Sequence, residues 1–129
     1  MRKKKISKKI FEREKVGLPK NNFVFCSFNQ SSKILPNTFD IWMNILKKVD
    51  NSIIWLLESN LTTRENLKNQ ADKRGVDSKR IIFAERLPIE EHLARHKIAD
   101  LFIDTFPYNG HTTTSDALWA GLPVLTLQG

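Results

Sequence analysis

Five short apolar runs punctuate this chain: FVFCSF (23–28), SIIWLL (52–57), RIIFA (80–84), DLFIDT (100–105) and PVLTL (123–127). Each is five or six residues long and nearly continuous in apolar character, too short for a helix and too unbroken for a strand with one wet face. Helix signals fill the gaps. Pro36-Asn37-Thr38 opens a segment with Phe39, Trp42, Ile45, Leu46 and Val49 at helical spacing. Thr62 or Thr63 is placed to cap a polar helix running to Arg74, which Gly75 would stop. Pro88 precedes two glutamates, and Thr112 to Ala120 reads as a further helix closed by Gly121. Strands that alternate with helices and are buried on both faces predict an α/β domain: a Rossmann-like parallel sheet flanked by helices and joined by right-handed crossovers. No helix follows the last strand, so one face of the sheet is expected to be under-covered, as in a C-terminally truncated lobe.

The 129 residues, 40% hydrophobic and 27% charged, fit one globular domain. The net charge of +7 is concentrated at one end, where residues 1–15 hold eight Lys or Arg against Glu12 and Glu14, a net +6. Residues 1–19 therefore read as a basic leader, expected to be solvated and partly helical, ahead of a body over 20–129. No aromatic residues are interleaved with these lysines to stack on bases, which disfavours a nucleic-acid partner. No apolar run reaches the roughly 20 residues that span a bilayer, so no membrane partner is expected. Nor does an apolar stretch of signal-peptide type follow the basic start. The lone Cys26 excludes an internal disulfide and fits a reducing, cytoplasmic setting; its place in FVFCSF predicts a buried thiol.

Chemistry in an open parallel sheet gathers at the carboxyl ends of the strands. Three segments there carry unusual residues: Asn29 to Lys33, Leu87 to Arg95, and Tyr108 to Asp116. The last, YNGHTTTSD, places Gly110 and three threonines at a helix start, where unpaired N–H groups, hydroxyls and the positive helix end favour an anion such as a diphosphate. Lys33 would supply a countercharge. Thr113 and Asp116 also fit an ordinary capping box, which leaves His111 and the other threonines unexplained. His92 and His96 are four apart, a spacing compatible with a metal, but the intervening glutamate of the zinc-protease pattern is missing. A triad of Ser115, His111 and Asp104 lacks the nucleophile elbow, and neither Walker A nor G-x-G-x-x-G is present.

Taken together and in order, FNQSSKILP, WxxILKxVxxSxxWLL, RIIFxxxxPxEEHLxR and ADLFIDTFPYNGHTTTSDALWAGLPVLT resemble the catalytic region of the O-linked N-acetylglucosamine transferase family (glycosyltransferase family 41), from about Phe23 to Gly129. The resemblance implies the C-terminal, nucleotide-sugar-binding lobe of a GT-B fold, with tetratricopeptide repeats and an N-terminal catalytic lobe as expected partners. It implies inverting transfer of N-acetylglucosamine from UDP-GlcNAc to Ser or Thr hydroxyls of an acceptor protein, without a metal or other cofactor. Gln30 and Lys33 match positions holding the donor diphosphate, Lys33 with the catalytic role of neutralising the UDP leaving group. Thr112 and Thr113 match contacts to phosphate, His111 a donor-site histidine, His92 and Arg95 residues around the uracil, and Asp116 a ribose contact. Ile89 departs from the pattern, since the best-known animal members have lysine there. The plant Spindly-type enzymes, which use GDP-fucose, share DTFPY. Asn109-Gly110-His111 and Asp116-Ala117-Leu118-Trp119 instead side with the N-acetylglucosamine group. A binding module or inert fragment without catalysis stands as the alternative, because the isolated chain is expected to be catalytically incomplete.

Overall fold

The computed structural model describes residues 6–28, 34, 36–105, 117–118 and 120–127. Five strands, β1 (Phe23–Ser27), β2 (Ser52–Leu57), β3 (Ile81–Ala84), β4 (Leu101–Thr105) and β5 (Val124–Leu127), form one sheet in the order β3-β2-β1-β4-β5. Every pairing is parallel, with registers such as Cys26 opposite Trp55, Cys26 opposite Phe102, and Ile103 opposite Leu125. This is the expected α/β architecture. The strands run within one residue of the apolar runs because burial on both faces selects uninterrupted Val, Ile, Leu, Phe and Trp.

The side chains of β1 sort by alternation. Val24, Cys26 and Phe28 point to one buried face with Trp55 and Phe102. Phe25 points to the other, with Ile54, Leu56 and Ile103. That second face is covered by helix α1 (Pro36–Lys48), through Phe39, Trp42, Met43 and Leu46, and by helix α2 (Leu61–Lys73), through Ala71. Trp42 and Trp55 are core residues, as their apolar settings predict; Trp119 lies outside the described residues.

Two details differ from the sequence reading. Helix α2 is capped by Asn60, not by Thr62 or Thr63: the Asn60 side chain accepts from the Thr63 backbone N–H at 2.8 Å. Asparagine is the better cap, and its use starts the helix two or three residues earlier. At the other end Gly75 stops the helix as expected, with φ of 79°. Its N–H bonds the Asp72 carbonyl, and the Val76 N–H bonds that of Ala71. These are the paired bonds of a Schellman ending.

The second correction concerns the basic leader. Residues 6–18 are docked on the body and do not form a solvated arm. Arg13 begins a 3-10 turn (Arg13–Val16) and clamps the sheet: Nε donates to the Ile98 carbonyl at 2.9 Å and Nη1 to that of Asn22 at 2.8 Å. Nη2 meets Asp100 Oδ2 at 2.9 Å. Leu18 is buried against the first core, with Val16 beside it. No helix among the described residues is long and apolar enough to cross a membrane.

Candidate functional site

The strand order reverses between β1 and β4: the chain winds outward through β1, β2 and β3, then returns to place β4 on the other side of β1. Such a reversal opens a crevice beyond the carboxyl ends of the two central strands. The last described residues before the two polar segments are Phe28, which directly follows β1, and Thr105, which ends β4. Gln30, Lys33, His111, Thr112, Thr113 and Asp116 lie outside the described residues. His92 and Arg95 lie within them.

Both are carried by helix α3 (Ile89–Arg95), which returns the chain from β3 to β4. Pro88 is its N-cap residue and Glu90 and Glu91 occupy its first turn, complementing the helix dipole. His92 and Arg95 are three apart and share a helix face. That face meets Phe28, the residue immediately after β1. The Phe28 ring lies 4.8 Å from the His92 ring, 5.1 Å from His96 and 5.2 Å from Trp55, centroid to centroid. An aromatic cluster thus fills the space between α3 and the carboxyl ends of β1 and β2.

Arg95 is set into this cluster and only 1% exposed. Its guanidinium lies 5.2 Å from the Phe28 ring centroid and 5.7 Å from that of Trp55, contacts that offset part of the cost of burying the charge. Its Nη1 donates to the Glu85 carbonyl, while Nε and Nη2 meet His92 Nδ1 at 2.9 and 2.6 Å. Among the described residues no carboxylate lies within ion-pairing distance of it. Burial lowers the Arg95 pKa to about 10, against which the Glu85 charge pulls upward. That value is far above neutrality, so the rim keeps a fixed cation. Cys26 gives it no countercharge there: burial pushes the thiol up, so it is neutral at pH 7. The expected core thiol is found, wholly buried.

His96 follows one turn later, buried, with Nδ1 2.8 Å from the His92 carbonyl, which can only accept. The Nδ1 atoms of His92 and His96 are therefore both held by protein partners.

A cavity of about 180 Å³ opens beside the pair, lined by Leu57, Arg86, Leu87, Ile89, His92 and Arg95. Ile89 is half exposed on its wall. A second cavity of about 240 Å³ shares Leu87 and Arg95 and reaches Val16, Trp55 and Glu85. Apolar walls, an imidazole and guanidinium groups suit a flat heteroaromatic ring bearing acceptor oxygens. Sequence reasoning missed Phe28, Trp55, Glu85 and Arg86 as parts of this site. The phase of Val24, Cys26 and Phe28 was a usable signal for Phe28, because it puts that ring on the face that receives α3.

The model of the family described as glycosyl transferase family 41 matches residues 3–129, taking in most of the basic segment. Among curated relatives, the UDP-N-acetylglucosamine–peptide N-acetylglucosaminyltransferase of Caenorhabditis elegans is 43% identical over 118 residues, covering 92% of this chain and 10% of its own length. The probable UDP-N-acetylglucosamine–peptide N-acetylglucosaminyltransferase SEC of Arabidopsis thaliana is 41% identical, over 90% of this chain and 12% of its own. The corresponding SPINDLY protein of the same plant is 33% identical, over 84% and 12%. A solved structure of a mutant O-GlcNAc transferase from Thermobaculum terrenum superposes with a TM-score of 0.78 at 34% identity, covering 84% of this chain and 21% of that one. The chain spans about a tenth of the length of the curated relatives it matches. With a family match over nearly its whole length, and the fold of a solved relative, the chain belongs to glycosyl transferase family 41.

Proposed function

We propose that this chain is the donor-binding lobe of a glycosyltransferase that moves N-acetylglucosamine from UDP-GlcNAc, with inversion, to Ser or Thr hydroxyls of proteins. The observation that carries this reading is the strand reversal between β1 and β4, with His92 and Arg95 at the same rim. Membership of the family, and the substrate for which its relatives are named, support the substrate class. In this reading His92 and the cavity beside it take the uracil, with Arg95 beneath. Gln30, Lys33, Thr112 and Thr113 hold the diphosphate, His111 lies beside it, and Asp116 meets the ribose. Lys33 and the helix start neutralise charge as the UDP leaving group develops, a preorganised electrostatic role. The protein works in the cytoplasm, and its remaining partners are the acceptor protein and an N-terminal catalytic lobe with tetratricopeptide repeats.

Calorimetric titration of the folded chain with UDP tests the reading. Saturable binding is expected, weakened at least about tenfold by Lys33→Ala, the equivalent of ~1.4 kcal/mol. No binding by a chain shown to be folded would overturn it. Tighter binding of GDP than of UDP would move the donor to a guanine nucleotide sugar.

A further inference from the structure

We infer that Arg95 is a positioning residue that acts through His92, fixing which nitrogen of its imidazole carries the proton. Two N–H groups of Arg95, on Nε and Nη2, converge on His92 Nδ1 at 2.9 and 2.6 Å. A guanidinium has donors only and stays protonated at any physiological pH. The nitrogen it faces must therefore be an acceptor. Nδ1 is thus the bare nitrogen, and the proton of the neutral ring sits on Nε2.

Every neighbour of the arginine holds it in this pose. Its Nη1 is tied to the Glu85 carbonyl, and the adjoining rings of Phe28 and Trp55 pack against it. The His92 ring is stopped from turning by Phe28 at 4.8 Å and by His96 at 4.9 Å, while His96 is itself tied to the His92 carbonyl. Flipping the His92 ring would set its Cδ2–H against the guanidinium donors. The lock therefore fixes both ring orientation and tautomer, as an outer partner of a metal-bound histidine does for its ligand. The consequence is that His92 presents an N–H donor, suited to a carbonyl oxygen of a base and unsuited to a base N–H. This consequence rests on the donor-site reading above. The tautomer itself does not.

The test is a long-range proton–nitrogen NMR spectrum of the full chain labelled in its histidines, with His92 assigned by its loss in His92→Gln. Near pH 7 and without nucleotide, His92 is expected to show a bare, pyridine-type Nδ1 and a protonated, pyrrole-type Nε2. Averaged signals or a proton on Nδ1 would overturn the proposal, even if no variant of Arg95 folds. In Arg95→Met, where it folds, the pattern is expected to relax to an average and UDP affinity to fall roughly tenfold; an unchanged locked pattern would overturn it. Arg95→Lys is expected to restore only part of the lock, having no planar pair of donors. A locked tautomer in a chain that does not bind UDP would sink the donor-site reading alone. UDP binding with an averaged tautomer would sink the positioning role alone.

Discussion

Arg13 and Asp100, 87 residues apart in the chain, meet at 2.9 Å, and the same carboxylate oxygen accepts the Val24 backbone N–H at 2.7 Å. One oxygen thus joins the N-terminal segment, the first strand and the entry to the fourth. Replacing Asp100 by Ala removes both bonds and leaves the N–H of buried Val24 without this acceptor and the guanidinium with fewer acceptors. A loss of about 1.5–3 kcal/mol is expected, the range for hydrogen bonds to a charged group. Urea denaturation measures it, and hydrogen exchange should show residues 6–18 losing protection first. Unchanged protection there would mean that Leu18 and Val16 alone hold the segment.

Phe28 is the hub of the aromatic cluster, touching Trp55, His92, His96 and Phe102 and underlying Arg95. Phe28→Ala removes the ring from a filled space and should cost about 3–5 kcal/mol, whereas Phe28→Leu, which keeps most of the volume, should cost clearly less. Equal losses in the two variants, read from denaturation midpoints, would show that ring contacts and not volume dominate.

Cys26 is wholly buried, and desolvation raises its pKa from the ordinary 9.0, with Arg95 pulling weakly the other way. The folded chain should resist alkylation at pH 8 and react once unfolded. Linkage gives a second expectation. Above pH 9 the unfolded chain loses the thiol proton and the folded chain keeps it, so the native state binds more protons and stability falls as pH rises, by up to ~1.4 kcal/mol per pH unit. Cys26→Ala should flatten that slope between pH 9 and 10, measured by urea denaturation at each pH.

Gly75 sits at φ of 79°, and a Cβ there would meet nothing closer than Lys47 Cε at 3.8 Å. The cost of Gly75→Ala is therefore conformational, not steric, and about 1 kcal/mol is expected. Thermal denaturation checks this. A loss several times larger would point to a clash that the open surroundings do not contain.

The candidate site was legible in part. The sequence places His92 and Arg95 on one helix face at the sheet rim, because three-residue spacing and the strand-to-helix pattern are local. It does not show that Arg95 is buried. An arginine in a run such as EEHLAR reads as surface. Its burial depends on the Glu85 carbonyl, Phe28 and Trp55, which come from three separate places in the chain.

The same division runs through the fold. The sequence alone determined the five strands, the helices between β1 and β4 and the stop at Gly75, because apolar periodicity and backbone-restricting residues act over a few neighbours. It also determined the family, through motifs whose order and spacing survive in the linear chain. Tertiary structure alone decided that residues 6–18 of the basic segment are docked, that Asn60 rather than a threonine caps α2, and that His92 rests on a buried cation. The docking and the buried cation depend on groups brought together from distant points of the chain, where the free energy of a charge or an N–H is set by what packs around it. The cap is a choice among neighbouring candidates that the first turn of the folded helix makes.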